Sequence, residues 1–159
     1  AMPLRERFRQ DGAHTFELLY RAIEASRGAI SITDAQVPDN PLIYVNPAFE
    51  AMTGYAEAEV MGRNCRFLQG HETRQPGLDL LRRAIREGEG CQVVLRNYRK
   101  DGTPFWNELT LAPVFDASGA LSHFIGVSLD VTAKKEAEAA MRAALTLEKT
   151  QAEAMNRAK

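Results

Sequence analysis

The chain has 159 residues, 45% of them hydrophobic and 26% charged, with 20 Lys and Arg against 21 Asp and Glu. That length suits one domain of ordinary size plus a helical extension, and the apolar content is enough for a packed core. A formal charge of -1 gives no field that would draw the chain to nucleic acid or to an anionic membrane, so neither is expected as a partner.

No apolar run approaches the length of a membrane span, and residues 1–10 lack the apolar centre of a secretory signal, so a cytoplasmic setting is expected. Ala1 ahead of Met2 reads as a residue left by cloning. Cys65 and Cys91 can in principle pair, but a reducing compartment and the lack of any further cysteine argue against a disulfide framework.

Residues 14–26 carry Phe16, Leu19 and Ile23 at helical spacing, which predicts a short amphipathic helix that either caps the domain or pairs with a second chain. Residues 29–33 and 42–45 read as strands of a first hairpin, separated by a turn-rich stretch containing Pro38, Asp39, Asn40 and Pro41. Asn46 followed by Pro47 supplies an N-cap and a first-turn proline, and Gly54 a stop, bracketing a helix of about two turns. A second short helix ends at Gly62. Residues 76–87 then space Leu78, Leu81 and Ile85 along one helical face up to Gly88. Three strands follow, over 92–98, 105–114 and 122–130, with Asp101-Gly102 and Ser118-Gly119 between them as hairpin turns. The order predicts an α+β domain with one antiparallel sheet and its helices on a single face. From 132 to 159 no Gly or Pro occurs, so a long helix should leave the last strand; Ala137, Met141, Ala144, Leu145, Ala152 and Met155 give it a weak apolar seam.

Strand alternation exposes an anomaly. Asn97 is in phase with Val93 and Leu95, Asn107 with Phe105, Leu109 and Leu111, and Ser128 with Phe124 and Gly126, so each of the last three strands puts a polar group on its apolar face. Left unpaired, such groups cost about 1–3 kcal/mol apiece. Either the amides read the edge of a planar heteroaromatic ligand, or they bond one another, nearby backbone or a buried water; phase alone leaves both open.

The packet Gly62-Arg63-Asn64-Cys65-Arg66-Phe67-Leu68-Gln69-Gly70 sets one thiol between an amide and a guanidinium. If Cys65 opens an α-helix, Gln69 lies on its face one turn later, so thiol and carboxamide would address one ligand. Arg66 and Arg82 have the rigid fork of donors that grips phosphate, although arginine on a helix is more often a solvated surface residue. A lone cysteine is likewise more often inert packing. A nucleophilic enzyme would need a histidine base, and His14, His71 and His123 sit in contexts with no partner signature; no Cys or His pair has metal-ligand spacing, so no metal is expected.

The segments GRNCRFLQG, NYRKDGTPFWNEL and HFIGVSLDVT resemble the signature segments of LOV domains, the light, oxygen or voltage subgroup of PAS domains, over about residues 28–132. The resemblance implies a five-stranded antiparallel sheet with short helices on one face, divided as an N-terminal helical cap (1–27), a core (28–131) and a signalling helix (132–159). It implies a blue-light photoreceptor domain that binds flavin mononucleotide (FMN). Light excites the flavin to its triplet state, the Cys65 sulfur bonds reversibly to a ring-junction carbon, and the neighbouring ring nitrogen is protonated; this is a switch and not enzymatic turnover.

By the same resemblance, Asn97 and Asn107 bond the pyrimidine edge, Asn64 and Gln69 contact the ring and ribityl chain, and Arg66 and Arg82 hold the phosphate, with Arg83 able to share or replace the second contact. Leu109 and Ser128 complete the flavin-binding set, and Cys91 matches no functional position. One departure stands out: the family usually has Gln where this chain has Ser128, which implies retained photochemistry but weakened or rerouted signal transfer. The exit Asp130-Val131-Thr132 and the ending AEAMNRAK resemble a linker ahead of a sensor histidine kinase dimerisation domain, which implies a homodimer and such an effector in the full-length protein. The rival readings are an effectorless short LOV protein acting through its oligomeric state, and a PAS sensor of another ligand such as haem, for which a pocket histidine would be needed.

Overall fold

The computed structural model describes residues 2–158; Ala1, read above as left by cloning, and Lys159, the last residue of the expected C-terminal helix, lie outside them. Two helices, α1 (Leu4–Gln10) and α2 (Gly12–Ala25), precede the sheet. The first was not anticipated, and the second starts two residues earlier than the apolar spacing suggests because Asp11 caps it, accepting from the His14 backbone N–H at 3.3 Å. Phe16 and Leu19, the residues that define its apolar stripe, stay exposed, whereas Thr15 is buried. What docks α2 is its far end, where Tyr44 Oη donates to Glu24 at 2.6 Å.

The five strands are β1 (Ala29–Asp34), β2 (Leu42–Val45), β3 (Cys91–Tyr98), β4 (Pro104–Phe115) and β5 (Leu121–Asp130). They form one antiparallel sheet in the order β2-β1-β5-β4-β3, so the expected first hairpin is joined to the last three strands through β1 and β5. The turns form where Asp and Gly predict them: Asp101 Oδ1 accepts from the Thr103 backbone at 2.9 Å, Asp116 Oδ1 from Ser118 at 2.9 Å, and Gly102 and Gly119 take positive φ.

Three short helices and α5 (Pro76–Glu87) cover one face. α3 (Pro47–Thr53) begins at Asn46, which is fully buried and satisfies four groups at once. Its Oδ1 accepts from the Phe49 and Ile30 backbone at 3.0 and 2.8 Å, while Nδ2 donates to the Ile23 and Gly28 carbonyls at 3.1 and 2.9 Å. One side chain thus fastens α2, β1 and α3 together. α4 (Glu57–Val60) follows, and the Cys65–Gln69 segment is a 3₁₀ helix capped by Asn64, not the α-helix expected. With about three residues per turn, Leu68 and not Gln69 stacks under Cys65. The apolar core is divided accordingly, with Leu42, Val45, Phe49, Val60 and Leu68 on one side and Leu78, Val93 and Leu95 on the other.

After β5 the chain enters α6 (Thr132–Arg157), a 26-residue helix with no buried residue. Among the described residues no helix is long and apolar enough to cross a membrane.

Candidate functional site

Between the sheet and its covering helices lies a cavity of about 340 Å³, at the lower end of the range for small-molecule sites. Apart from Arg83, the residues expected to meet a ligand line it: Asn64, the cap of the 3₁₀ segment, Cys65, Arg66 and Gln69 within it, Arg82 from α5, and Asn97, Asn107, Leu109 and Ser128 from β3, β4 and β5. Gln69 therefore shares the cavity with Cys65 even though 3₁₀ geometry sets it about 120° around the axis.

The sheet supplies the polar wall. Asn107 stands diagonally across from Asn97, and its Nδ2 donates to Asn97 Oδ1 at 2.9 Å, while Asn97 Nδ2 donates to the Arg96 carbonyl at 3.1 Å. The mutual-bonding alternative is thus half realised, but it leaves Asn107 Oδ1 buried with no partner. An acceptor in that state calls for a donor from outside the protein's own side chains and backbone, which a ligand N–H or O–H in the cavity can supply. Ser128, also buried, lies beside Leu109 on β4 and Ala29 on β1.

Sequence reading missed several contributors. Gly126 is one: a Cβ there would come within 2.8 Å of Ser31 Oγ and 3.2 Å of Leu109 Cδ1, so its missing side chain keeps open part of the cavity it lines. A glycine inside a strand was the available signal. Arg86 is another, lining the cavity where Arg83 does not, since it lies one turn beyond Arg82 on the same helical face. Asp39 and Asn40 also line it, hidden in the sequence inside a stretch legible only as a turn.

The residues fit a planar ligand with a hydrogen-bonding edge and an anionic tail: apolar walls from Leu78, Leu95 and Phe124, an unpaired acceptor on the sheet, and three arginines in the lining. Arg82 Nη2 donates to the Thr73 carbonyl at 3.2 Å, which steadies it beside the cavity. Among the described residues no histidine lines this space, so it offers neither a histidine base for a nucleophilic cysteine nor a histidine axial ligand for haem. Among the described residues no cluster suited to a metal occurs.

The PAS domain family matches residues 28–133. A solved LOV domain from the blue-light activated histidine kinase of Erythrobacter litoralis EL346 is 44% identical, with a TM-score of 0.63 over 66% of this chain and 96% of that one. The chain is a LOV domain of the PAS family. A blue-light photoreceptor of Listeria monocytogenes serovar 1/2a is 42% identical over 131 residues, 82% of this LOV domain and 51% of the relative. The solved structure of an RNA-binding light-oxygen-voltage receptor is 43% identical, with a TM-score of 0.77, covering 82% of this chain and 37% of that one. The LOV domain described here thus spans about half or less of those two longer proteins.

In this LOV domain both cysteines are free. Burial pushes the Cys65 thiol up from its ordinary value of 9.0 to about 12, and no neighbouring cation opposes that shift. The resting group is therefore a neutral thiol, the reverse of an activated nucleophile. Cys91, at the edge of β3, packs against the Leu78, Val93 and Leu95 cluster and does not line the cavity.

The sign of the linkage is fixed by the direction of the shift. Unfolding frees Cys65 to ionise above about pH 9 while the native thiol keeps its proton, so its contribution is complete below that pH and is lost as pH climbs toward 12. Urea midpoints measured from neutral pH to about pH 10.5 should fall less steeply for Cys65→Ala than for wild type. Some slope should remain, since burial raises Cys91 and Tyr44 as well. Equal slopes in the two proteins would contradict the buried neutral thiol.

Proposed function

We propose that this LOV domain is a blue-light photoreceptor unit that holds FMN in the cavity and bonds it reversibly through Cys65. The observation that carries the reading is the pairing of a neutral buried thiol with an unsatisfied sheet acceptor, Asn107 Oδ1, in one cavity. Flavin, when bound, supplies absorption of blue light and, once excited, a ring carbon to which sulfur can bond.

The rest is work for side chains. Asn107 Oδ1 accepts from the ring imide N–H, and Asn97 offers its amide along the same edge. Asn64 and Gln69 address the ring and ribityl chain, Leu109 packs on the ring face, and Arg66 and Arg82 grip the phosphate. Cys65 would supply both the sulfur for the bond to the excited ring and the proton for the adjacent ring nitrogen, and would regain both when the bond breaks in the dark. Ser128 has a hydroxyl too short to reach as far as a glutamine amide, so it meets the ring through a water.

Output runs through helices. α6 buries none of its residues and leaves Met141, Leu145 and Met155 exposed, and the N-terminal helices expose Phe8 and Phe16, which supports pairing with a second copy and coupling to an effector such as a histidine kinase in the full-length protein.

The purified chain should be yellow, bleach under blue light and recover in the dark, whereas Cys65→Ala should keep its colour and fluorescence and fail to bleach. A colourless protein, or bleaching that survives Cys65→Ala, would refute the proposal. Ser128→Gln should enlarge the light-induced change in hydrogen exchange along α6; an identical response to wild type would show that position 128 does not limit output. Light scattering should report a dimer at high protein concentration, and a monomer in both darkness and light would exclude the pairing.

A further inference from the structure

Among the described residues that line the cavity, Asp39 is the only carboxylate, set against three arginines, Arg66, Arg82 and Arg86. It sits in the β1–β2 connection, where Asp39 and Asn40 take φ of 72° and 47° in succession. Apart from glycine, Asp and Asn are among the few residues that adopt that left-handed conformation readily, so both fit this backbone.

The cysteine-bearing segment holds Asp39 at two points. Asn64 Nδ2 donates to its backbone carbonyl at 2.6 Å, and the Arg66 guanidinium pairs with its carboxylate. Asn64 Oδ1 accepts from the Arg66 backbone N–H at 3.0 Å, which closes the three residues into a ring. Beside them Asn40 Oδ1 is buried without a partner, an acceptor turned to no protein donor and suited to a ligand hydroxyl.

The guanidinium assigned to the flavin phosphate is thus already engaged by a carboxylate, whose Oδ2 takes Nη2, one of the donors that phosphate oxygens would use. We infer that Asp39 is a built-in competitor for the flavin phosphate: by contending for Arg66, it sets how strongly the cavity prefers a phosphorylated flavin over an uncharged one. The inference rests on the reading of the cavity as a flavin site. It also gives the two αL residues a role, since they carry the carboxylate to the rim where it meets Arg66. The side chains of Arg66 and Asp39 are 57% and 59% exposed, so solvent limits the effect to a few-fold and does not let it reach orders of magnitude.

The experiment titrates the flavin-depleted chain with FMN and with riboflavin, which lacks the phosphate, and follows quenching of flavin fluorescence. Asp39→Asn keeps the shape and tolerates positive φ, so the loop should persist. It should raise the preference for FMN over riboflavin by roughly three- to fivefold, leave riboflavin binding unchanged, and lose much of that gain at about 0.5 M salt. Arg66→Gln should lower the same preference. A preference that is unchanged or smaller in Asp39→Asn would overturn the inference and make Asp39 a residue that organises Arg66. Wild type that binds neither flavin would overturn the flavin reading and this inference with it, a result separable from a failure at Asp39 alone.

Discussion

A single oxygen, Asn107 Oδ1, enclosed by protein and bonded to nothing, constrains the interpretation of everything around it. A sheet face packed against helices gains stability from apolar side chains, and Leu or Val at positions 97, 107 and 128 would avoid the desolvation of three polar groups. The strand order β5-β4-β3 brings the three polar positions to one patch of the sheet, and a slip of one residue in any pairing would turn that strand's member to the outer face. The register is therefore part of the binding chemistry. Gly126 belongs to the same logic, since it withholds a side chain beside the polar patch and keeps the space open.

The thiol obeys the opposite principle to that of hydrolytic cysteines. Catalytic thiols are activated by a nearby histidine or helix N-terminus that lowers the pKa, whereas burial here raises it, and no histidine lines the cavity. Cys65 therefore rests as the protonated thiol. A reaction started by a photon, as proposed above, does not require a permanently ionised sulfur, so a protonated Cys65 is compatible with it. These two features, an inert thiol and an acceptor awaiting a donor, point to the same kind of ligand from independent physics.

Much of this was legible in the sequence because the signals were local. Strand alternation located the polar patch, and Pro47, Gly54, Pro76 and Gly88 bracketed α3 and α5 close to their observed ends. Errors arose where tertiary geometry outweighed local pattern. The cysteine segment looked α-helical, yet the chain tightens it to 3₁₀ so that Leu68 can bury itself under Cys65. The apolar stripe of α2 left open packing on the domain or pairing with a second chain, and the structure, in which Phe16 and Leu19 face solvent, does not support the first. Arg83, offered as able to share or replace Arg82, does not line the cavity, whereas the turn of α5 brings Arg86 to it. Asp39 was invisible as a site residue because a turn sequence shows its own hydrogen-bonding needs and not which cavity its side chain joins.

The link from cavity to exit helix is equally specific, and it passes through the residue adjacent to Asn107. The Trp106 backbone N–H donates to Thr132 Oγ1 at 2.9 Å, and its carbonyl accepts from the Val131 N–H at 2.9 Å, so the root of α6 is bonded directly to β4. Asp130 secures the same point by accepting from the Thr132 backbone at 3.0 Å and from Arg99 at 2.8 Å. Burial alone would raise the Asp130 carboxyl, but the bonds from Arg99 and Thr132 prevail and hold it below the usual carboxylate range. The peptide unit that joins Trp106 to Asn107 thus ties β4 to the root of α6, and the residue at position 128 takes no part in that tie. The strand that carries Asn107 is therefore also the strand to which the exit helix is tied.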